Sequence, residues 1–184
     1  MTRLLAPLLL LLLSPIVSAD PDRAAIEQAV NAPERSAEDR ARDVTEKPVD
    51  VLAFFGVRPG MHVADIMSAG GYYTEILARV VGTEGEVIAQ NNKAYLAYAG
   101  DAPDKRFGGG RLPNVRRVNS ELEDMGLGGN TLDLALLVKC WHDAYWINEK
   151  EWPRVDTEKF MAQLFAAVKP GGVVGVVDHV AAPD

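Results

Sequence analysis

Apolar residues change their spacing once along this chain, and the change divides it. Between residues 22 and 55 they recur at helical intervals. Ala, Ile and Val share one face of residues 22–30, and Val51, Leu52, Phe54 and Phe55 form the apolar side of a later segment. Ser36 followed by Glu38 and Asp39 is a helix-start pattern, and Lys47-Pro48-Val49-Asp50 opens the next helix, which Gly56 ends. After the turn at residues 57–60, short runs of almost continuous apolar residues take over. Strands are expected at 61–66, 86–90, 114–118, 132–138 and 173–178, with helices at 72–81 and 157–168. Strands alternating with helices indicate βαβ units, and strands apolar on both sides indicate a mostly parallel α/β sheet with flanking helices on both faces. Residues 100–113, with Gly108-Gly109-Gly110, read as a mobile loop.

The amino terminus obeys a different rule. Arg3, an apolar stretch from Leu4 to Leu13 and the small-residue sequence Val17-Ser18-Ala19 make a cleavable export signal, too short for a spanning helix. The expected organisation is a signal peptide over residues 1–19, a helical segment over 20–56 and a sheet domain over 57–184. The expected location is periplasmic or secreted, with no integral membrane span after cleavage. In 184 residues, 48% are hydrophobic and 24% charged, the balance of an ordinary globular domain able to bury its own core. A formal net charge of −7 excludes a nucleic-acid backbone as the main partner. Cys140 is the only cysteine; it excludes an internal disulfide and a cysteine-rich metal site, and its apolar strand predicts burial.

Residues 63–74, Val-Ala-Asp-Ile-Met-Ser-Ala-Gly-Gly-Tyr-Tyr-Thr, carry the strongest signal. An acid closes a buried strand, a loop of small residues follows, and a helix starts near Tyr72. Small residues let a ligand approach the backbone, and the helix start offers free N–H groups to it. The segment resembles the Rossmann-like class I S-adenosyl-L-methionine (SAM) methyltransferases, and more narrowly a bacterial exported group of that family. Val57-Arg58-Pro59-Gly60-Met61, Asp133-Leu134-Ala135 and Val168-Lys169-Pro170-Gly171-Gly172 match in order, and the likeness covers about residues 45–184. The resemblance implies SAM as cofactor. It assigns Asp65 to support the loop and the methionine end, and Ala69, Gly70 and Gly71 to the cofactor turn. It places Asn91 at the ribose, Glu121 at the adenine, and Leu122 against the adenine ring. Met67 stands where the family has glycine, and Asn91 where it usually has an acid.

Ligands of such sheets bind at the carboxyl ends of strands. His142 and Asp143 follow the fourth strand, and Asp178 and His179 the fifth. Convergence there would make His142, Asp143 and His179 candidate acid–base groups, with Trp141, Tyr145 and Trp146 shaping an apolar pocket. Equally, His142 and Asp143 would serve as a helix cap, with the aromatics as core. Two histidines and two aspartates also suit zinc or non-haem iron, but their spacing matches no helix-borne metal motif, so no metal is assigned. The expected function is methyl transfer from SAM to a small molecule. The alternative is an exported small-ligand binding protein that kept the fold and lost the transfer. The family usually adds two strands after the fifth; this chain stops there, which predicts an open sheet edge and self-association through it.

Overall fold

The computed structural model describes residues 21–148, 152 and 154–180. The expected export signal lies outside the described residues. Three helices come first: α1 (Pro21–Val30), α2 (Ala37–Glu46) and α3 (Pro48–Phe54). Ser36 caps α2 by accepting the Asp39 N–H, as its sequence pattern indicated. Lys47, in the left-handed region, joins α2 to α3, and Pro48 occupies the first turn of α3, where its missing N–H costs nothing.

The sheet domain runs β1 (His62–Ile66), α4 (Tyr72–Val81), β2 (Glu86–Asn91), α5 (Lys93–Ala99), α6 (Ala102–Phe107), β3 (Val115–Asn119), β4 (Leu132–Val138), α7 (Thr157–Ala167) and β5 (Val168–Val177). Short 3-10 turns occupy Gly108–Gly110 and Trp141–Tyr145. The strands lie in the order β3-β2-β1-β4-β5, all parallel. Successive strands run outward from β1 to β3, then the chain returns to place β4 on the other side of β1. Loops leaving β1 and β4 therefore diverge and leave a crevice at the carboxyl ends of the sheet.

Side-chain alternation supplies each face of the sheet with its own core. Val63, Val87, Leu134 and Leu136 pack against Ile26, Leu52, Ile76 and Leu77 of α1, α3 and α4. Ala64, Ile66, Ile88, Ala135 and Leu137 pack against Leu122, Met125 and the α7 residues Phe160 and Leu164. Each Val, Leu, Ile, Met or Phe side chain among them contributes about 1.5–3 kcal/mol when fully buried. Cys140 is buried, as its strand context predicted, and burial pushes its thiol pKa up.

Two local expectations are corrected. Residues 100–113 form α6 and a 3-10 turn instead of a mobile loop, because Arg106 and Phe107 find partners on the body of the domain. Strand β5 starts at Val168, five residues before the expected strand, with a register shift between Leu132 and Leu134. Gly172 permits this: a Cβ there would lie 2.9 Å from the Asp133 carbonyl and 2.7 Å from Val168 Cγ1. The Asp133 and Lys169 motif residues are likewise structural. Asp133 accepts the His62 N–H at 2.8 Å and Lys169 Nζ at 2.9 Å, tying the starts of three strands at the end of the sheet away from the crevice. Among the described residues β5 pairs only with β4, and no helix is long and apolar enough to cross a membrane.

Candidate functional site

A cavity of about 1120 Å³ opens at the carboxyl ends of β1, β2 and β4. Its floor is the turn after β1. Met67 (φ 51°) and Ala69 (φ 48°) both adopt left-handed backbone, as does Lys139 (φ 56°) at the tip of β4, and all three line the cavity. Such conformations cost non-glycine residues about 1–2 kcal/mol each and persist where the surroundings enforce them. The enforcing contacts are visible. Gln90 Oε1 accepts the Met67 N–H at 3.1 Å, Asn91 Oδ1 accepts the Ala69 N–H at 2.8 Å, and Asn91 Nδ2 donates to Ser68 Oγ and the Ala69 carbonyl. The Met67 side chain packs into the core beside Ile66, so the thioether that replaces the family's glycine does not close the crevice.

Asp65 lies deepest. It is 4% exposed, accepts the Thr74 hydroxyl at 2.5 Å, and lines the cavity. Burial pushes its pKa up to about 7, against the opposing pull of Thr74. Among the described residues no lysine, arginine or histidine is paired with it. A buried carboxyl facing a cavity without a cationic neighbour is suited to a ligand that brings positive charge.

The remaining walls come from several elements. Asn92 caps α5 by accepting the Tyr95 N–H, and both residues face the cavity. Glu121 lies nearby, 3.4 Å from the Lys93 N–H. Trp152 packs edge-on against Tyr95. Arg42 and Glu46 enter from α2, and Glu46 pairs with Lys139 at 2.8 Å. Asp143 accepts the Tyr95 hydroxyl at 2.6 Å. Burial, then Asp143 itself, raises the Tyr95 pKa, so the phenol stays protonated and donates.

Of the residues singled out in the sequence, Asp65, Met67, Ala69, Glu121, Asp143 and Trp146 line the cavity, whereas Trp141 and Tyr145 do not. Asn91 does not: it is buried and staples the turn from behind, leaving Asn92 at the wall. Leu122 is 1% exposed inside the core against α7 and does not reach the cavity. Gly70 and Gly71 face α6. A Cβ on Gly71 (φ 81°) would lie 2.4 Å from Phe107 Cζ, so this glycine admits a neighbouring helix. His142 and His179 sit outside the lining residues on the rim, their rings 5.4 Å apart. His142 Nδ1 is 2.7 Å from Asp178 Oδ1, and its Nε2 is 3.5 Å from Asp143. Burial raises the Asp178 pKa, but the N–H groups of His179 and His142 and the His142 ring outweigh it and hold the carboxyl below its usual range.

No family model matches the chain. Curated relatives do. The ubiquinone/menaquinone biosynthesis C-methyltransferase UbiE of Idiomarina loihiensis is 32% identical over 124 residues, covering 67% of this chain and 44% of that protein. The UbiE of Teredinibacter turnerae is 29% identical over 123 residues, covering 67% and 45%. The chain thus spans less than half the length of these relatives. Among solved structures, a SAM-dependent methyltransferase from Aquifex aeolicus superposes with a TM-score of 0.60 at 23% identity, covering 85% of this chain and 72% of that one. An arsenic(III) S-adenosylmethionine methyltransferase from Chlamydomonas reinhardtii gives 0.51 at 19% identity, covering 88% and 49%. The chain has the fold of the class I SAM-dependent methyltransferases, and two thirds of it resembles curated C-methyltransferases in sequence. Within the superfamily's sheet order, the turn after β1, the acid Asp65 and the residues after β2 and β3 occupy one continuous cavity. Those residues fit SAM. Asp65 offers a carboxyl to a cationic ligand, Tyr95 and Trp152 offer aromatic surface, and Glu121 and Asn92 offer hydrogen-bond acceptors.

Proposed function

We propose that this chain is a SAM-dependent methyltransferase acting on a small-molecule acceptor. The observation that carries the reading is the single cavity that joins Asp65 and the turn after β1 to Asp143 after β4. Its volume, about 1120 Å³, exceeds the roughly 300–1,000 Å³ of a typical single-ligand pocket. There is room for a donor and an acceptor together. SAM bound there supplies an electrophilic methyl group on sulfur. The chain's own residues hold the two partners in line, which can supply much of the rate by itself.

Asp143 takes the proton that the acceptor loses as it gains the methyl group. Tyr95 orients that carboxylate by donating to Oδ2, and His142, beside Oδ1 and oriented by Asp178, passes the proton to solvent. His179 stands outside this path, stacked edge-on against His142. Calorimetry with SAM and S-adenosylhomocysteine tests the donor site. Micromolar binding, about −8 kcal/mol, is expected. Failure of either to bind at millimolar concentration refutes it and leaves the small-ligand binding reading in its place. With a pool of small-molecule acceptors, Asp143→Asn should release S-adenosylhomocysteine at least about a hundredfold more slowly; an unchanged rate removes Asp143 from the mechanism.

Two further properties belong to the same reading. The amino-terminal sequence supports export to the periplasm, checked by fractionation and by the mass of the mature amino terminus. Among the described residues one edge of β5 pairs with no strand, which supports self-association by antiparallel pairing of β5 from two copies. Its Val173 and Val176 are 41% and 45% exposed. Sedimentation should show a dimer that Val176→Lys dissociates; a monomer at high concentration excludes it.

A further inference from the structure

Helix α2 carries two cavity-lining side chains, Arg42 and Glu46, yet its only buried residue is Asp39. Its one large apolar side chain, Val44, is 79% exposed, and α2 contributes nothing to either core cluster. Helices α1 and α4, by contrast, bury Ile26, Ile76 and Leu77 completely. Burial of apolar surface is what normally fixes a helix to a domain. Among the described residues, this wall of the cavity is therefore attached through polar and cation–π contacts, with no share in either apolar core.

Those contacts converge on Arg106 and the first turn of α4. Arg106 Nε donates to the Gly70 carbonyl at 2.6 Å, and its Nη1 and Nη2 pair with the Asp39 carboxylate at 2.6 and 3.2 Å. Nη1 also meets Glu75 of α4, which is 1% exposed and holds Arg79 and Arg111 as well. Further along α2, Asp43 receives the Tyr72 hydroxyl at 2.5 Å and Arg35 at 2.8 Å, and the Glu46 carbonyl receives the Tyr73 hydroxyl at 2.9 Å. The Arg42 guanidinium lies 4.3 Å from the Tyr72 ring centroid. Burial works against the charged forms of Asp39 and Arg106, but their mutual hydrogen bonds prevail: the Asp39 pKa is lowered and the Arg106 pKa raised.

We propose that α2 is a hinged wall of the cavity latched by Arg106, whose guanidinium joins Asp39 on that wall to Gly70 in the ligand turn and so makes Arg106 a positioning residue for the site. When α2 swings out, Asp39 leaves the guanidinium and the clamp on the Gly70 carbonyl loosens with it. When α2 returns, it restores the turn and brings Arg42 and Glu46 to the ligand. Lysine cannot replace the arginine, because one ammonium lacks the planar fork that reaches a carbonyl and two carboxylates at once. The role in ligand access rests on the cavity being the SAM site; the latch itself does not.

Hydrogen exchange of the full chain without ligand tests the latch. In the wild type, the amides of Ala37–Glu46 should exchange at least tenfold faster than those of Tyr72–Val81. Arg106→Gln and Arg106→Lys should both accelerate exchange in α2 and in residues 67–71 together, leaving α1 and α7 unchanged. Asp39→Asn, a milder change, should accelerate both segments in the same direction. Exchange in α2 as slow as in α4, or acceleration of α2 without the turn in either Arg106 variant, overturns the proposal. Adding S-adenosylhomocysteine then reads the site separately. Wild-type α2 should gain protection that Arg106→Gln loses. An absent response in the wild type counts against SAM binding, and equal protection in wild type and variant counts against the latch.

Discussion

Replacing Asp65 by asparagine should make this protein more stable above neutral pH while weakening its hold on a cationic ligand. The carboxyl is buried, and its pKa stands at about 7 instead of 3.8. Across that interval the native state keeps a proton that the unfolded chain has given up. Stability therefore falls as pH rises from about 4 to about 7 and levels off above that. The full difference corresponds to about 4 kcal/mol of destabilisation at pH 8. Asparagine is nearly the same size and can still accept the Thr74 hydroxyl, although a neutral acceptor forfeits about 1 kcal/mol of that bond. The net gain expected for Asp65→Asn is about 3 kcal/mol at pH 8, or roughly 6–12 °C in melting temperature for a chain of this size. At pH 5 most of the gain should vanish, because the wild-type carboxyl is then already protonated when folded. Urea unfolding of both proteins at pH 5 and pH 8 reads the effect directly. If Asp65→Asn is no more stable than the wild type at pH 8, or if its advantage is the same at both pH values, Asp65 is not an uncompensated buried carboxyl. A cationic ligand should expel the Asp65 proton below about pH 7, so calorimetric heats of binding should depend on the buffer's ionisation enthalpy there.

Two other substitutions test how the turn after β1 is built. Ala69→Gly relieves the left-handed backbone at φ 48° and should leave stability unchanged or raise it by about 0.5–1 kcal/mol in denaturant unfolding; a clear loss would show that the alanine methyl packs. Gly71→Ala should cost about 2–4 kcal/mol, part from its φ of 81° and part from the clash with Phe107. In a double-mutant cycle Phe107→Ala should recover the clash portion and leave the backbone portion; strict additivity would mean that the ring does not press on the glycine.

Much of the fold was legible in the chain because it rests on local patterns. Strand β4 spans residues 132–138 as its apolar run predicted, and α4 spans 72–81. Both are long enough for the spacing of apolar residues to separate helix from strand. The parallel sheet followed from alternation of the elements. The segment between β2 and β3 was misread because its glycines resemble a loop, whereas Arg106 and Phe107 acquire order only by touching Gly70, Gly71 and Glu75, which lie some thirty positions earlier in the chain.

The site divides along the same line. Sequence alone determined that an acid, a small-residue turn and a polar cluster after β4 would meet at one end of a parallel sheet, because strand direction sends all carboxyl ends the same way. It could not determine which side of each loop faces the crevice. Asn91 and Asn92 are neighbours of one chemistry, and only the pairing of Asn91 with the Ala69 backbone turns one inward and leaves the other at the wall. Gly70 and Gly71 were recognisable as a place of close approach, but tertiary packing decided that the approaching body is α6. Nothing local in α2 marks it as a cavity wall. Arg42 and Glu46 reach the site through polar contacts with residues distant in the chain, and hydrophobic periodicity carries no record of such contacts.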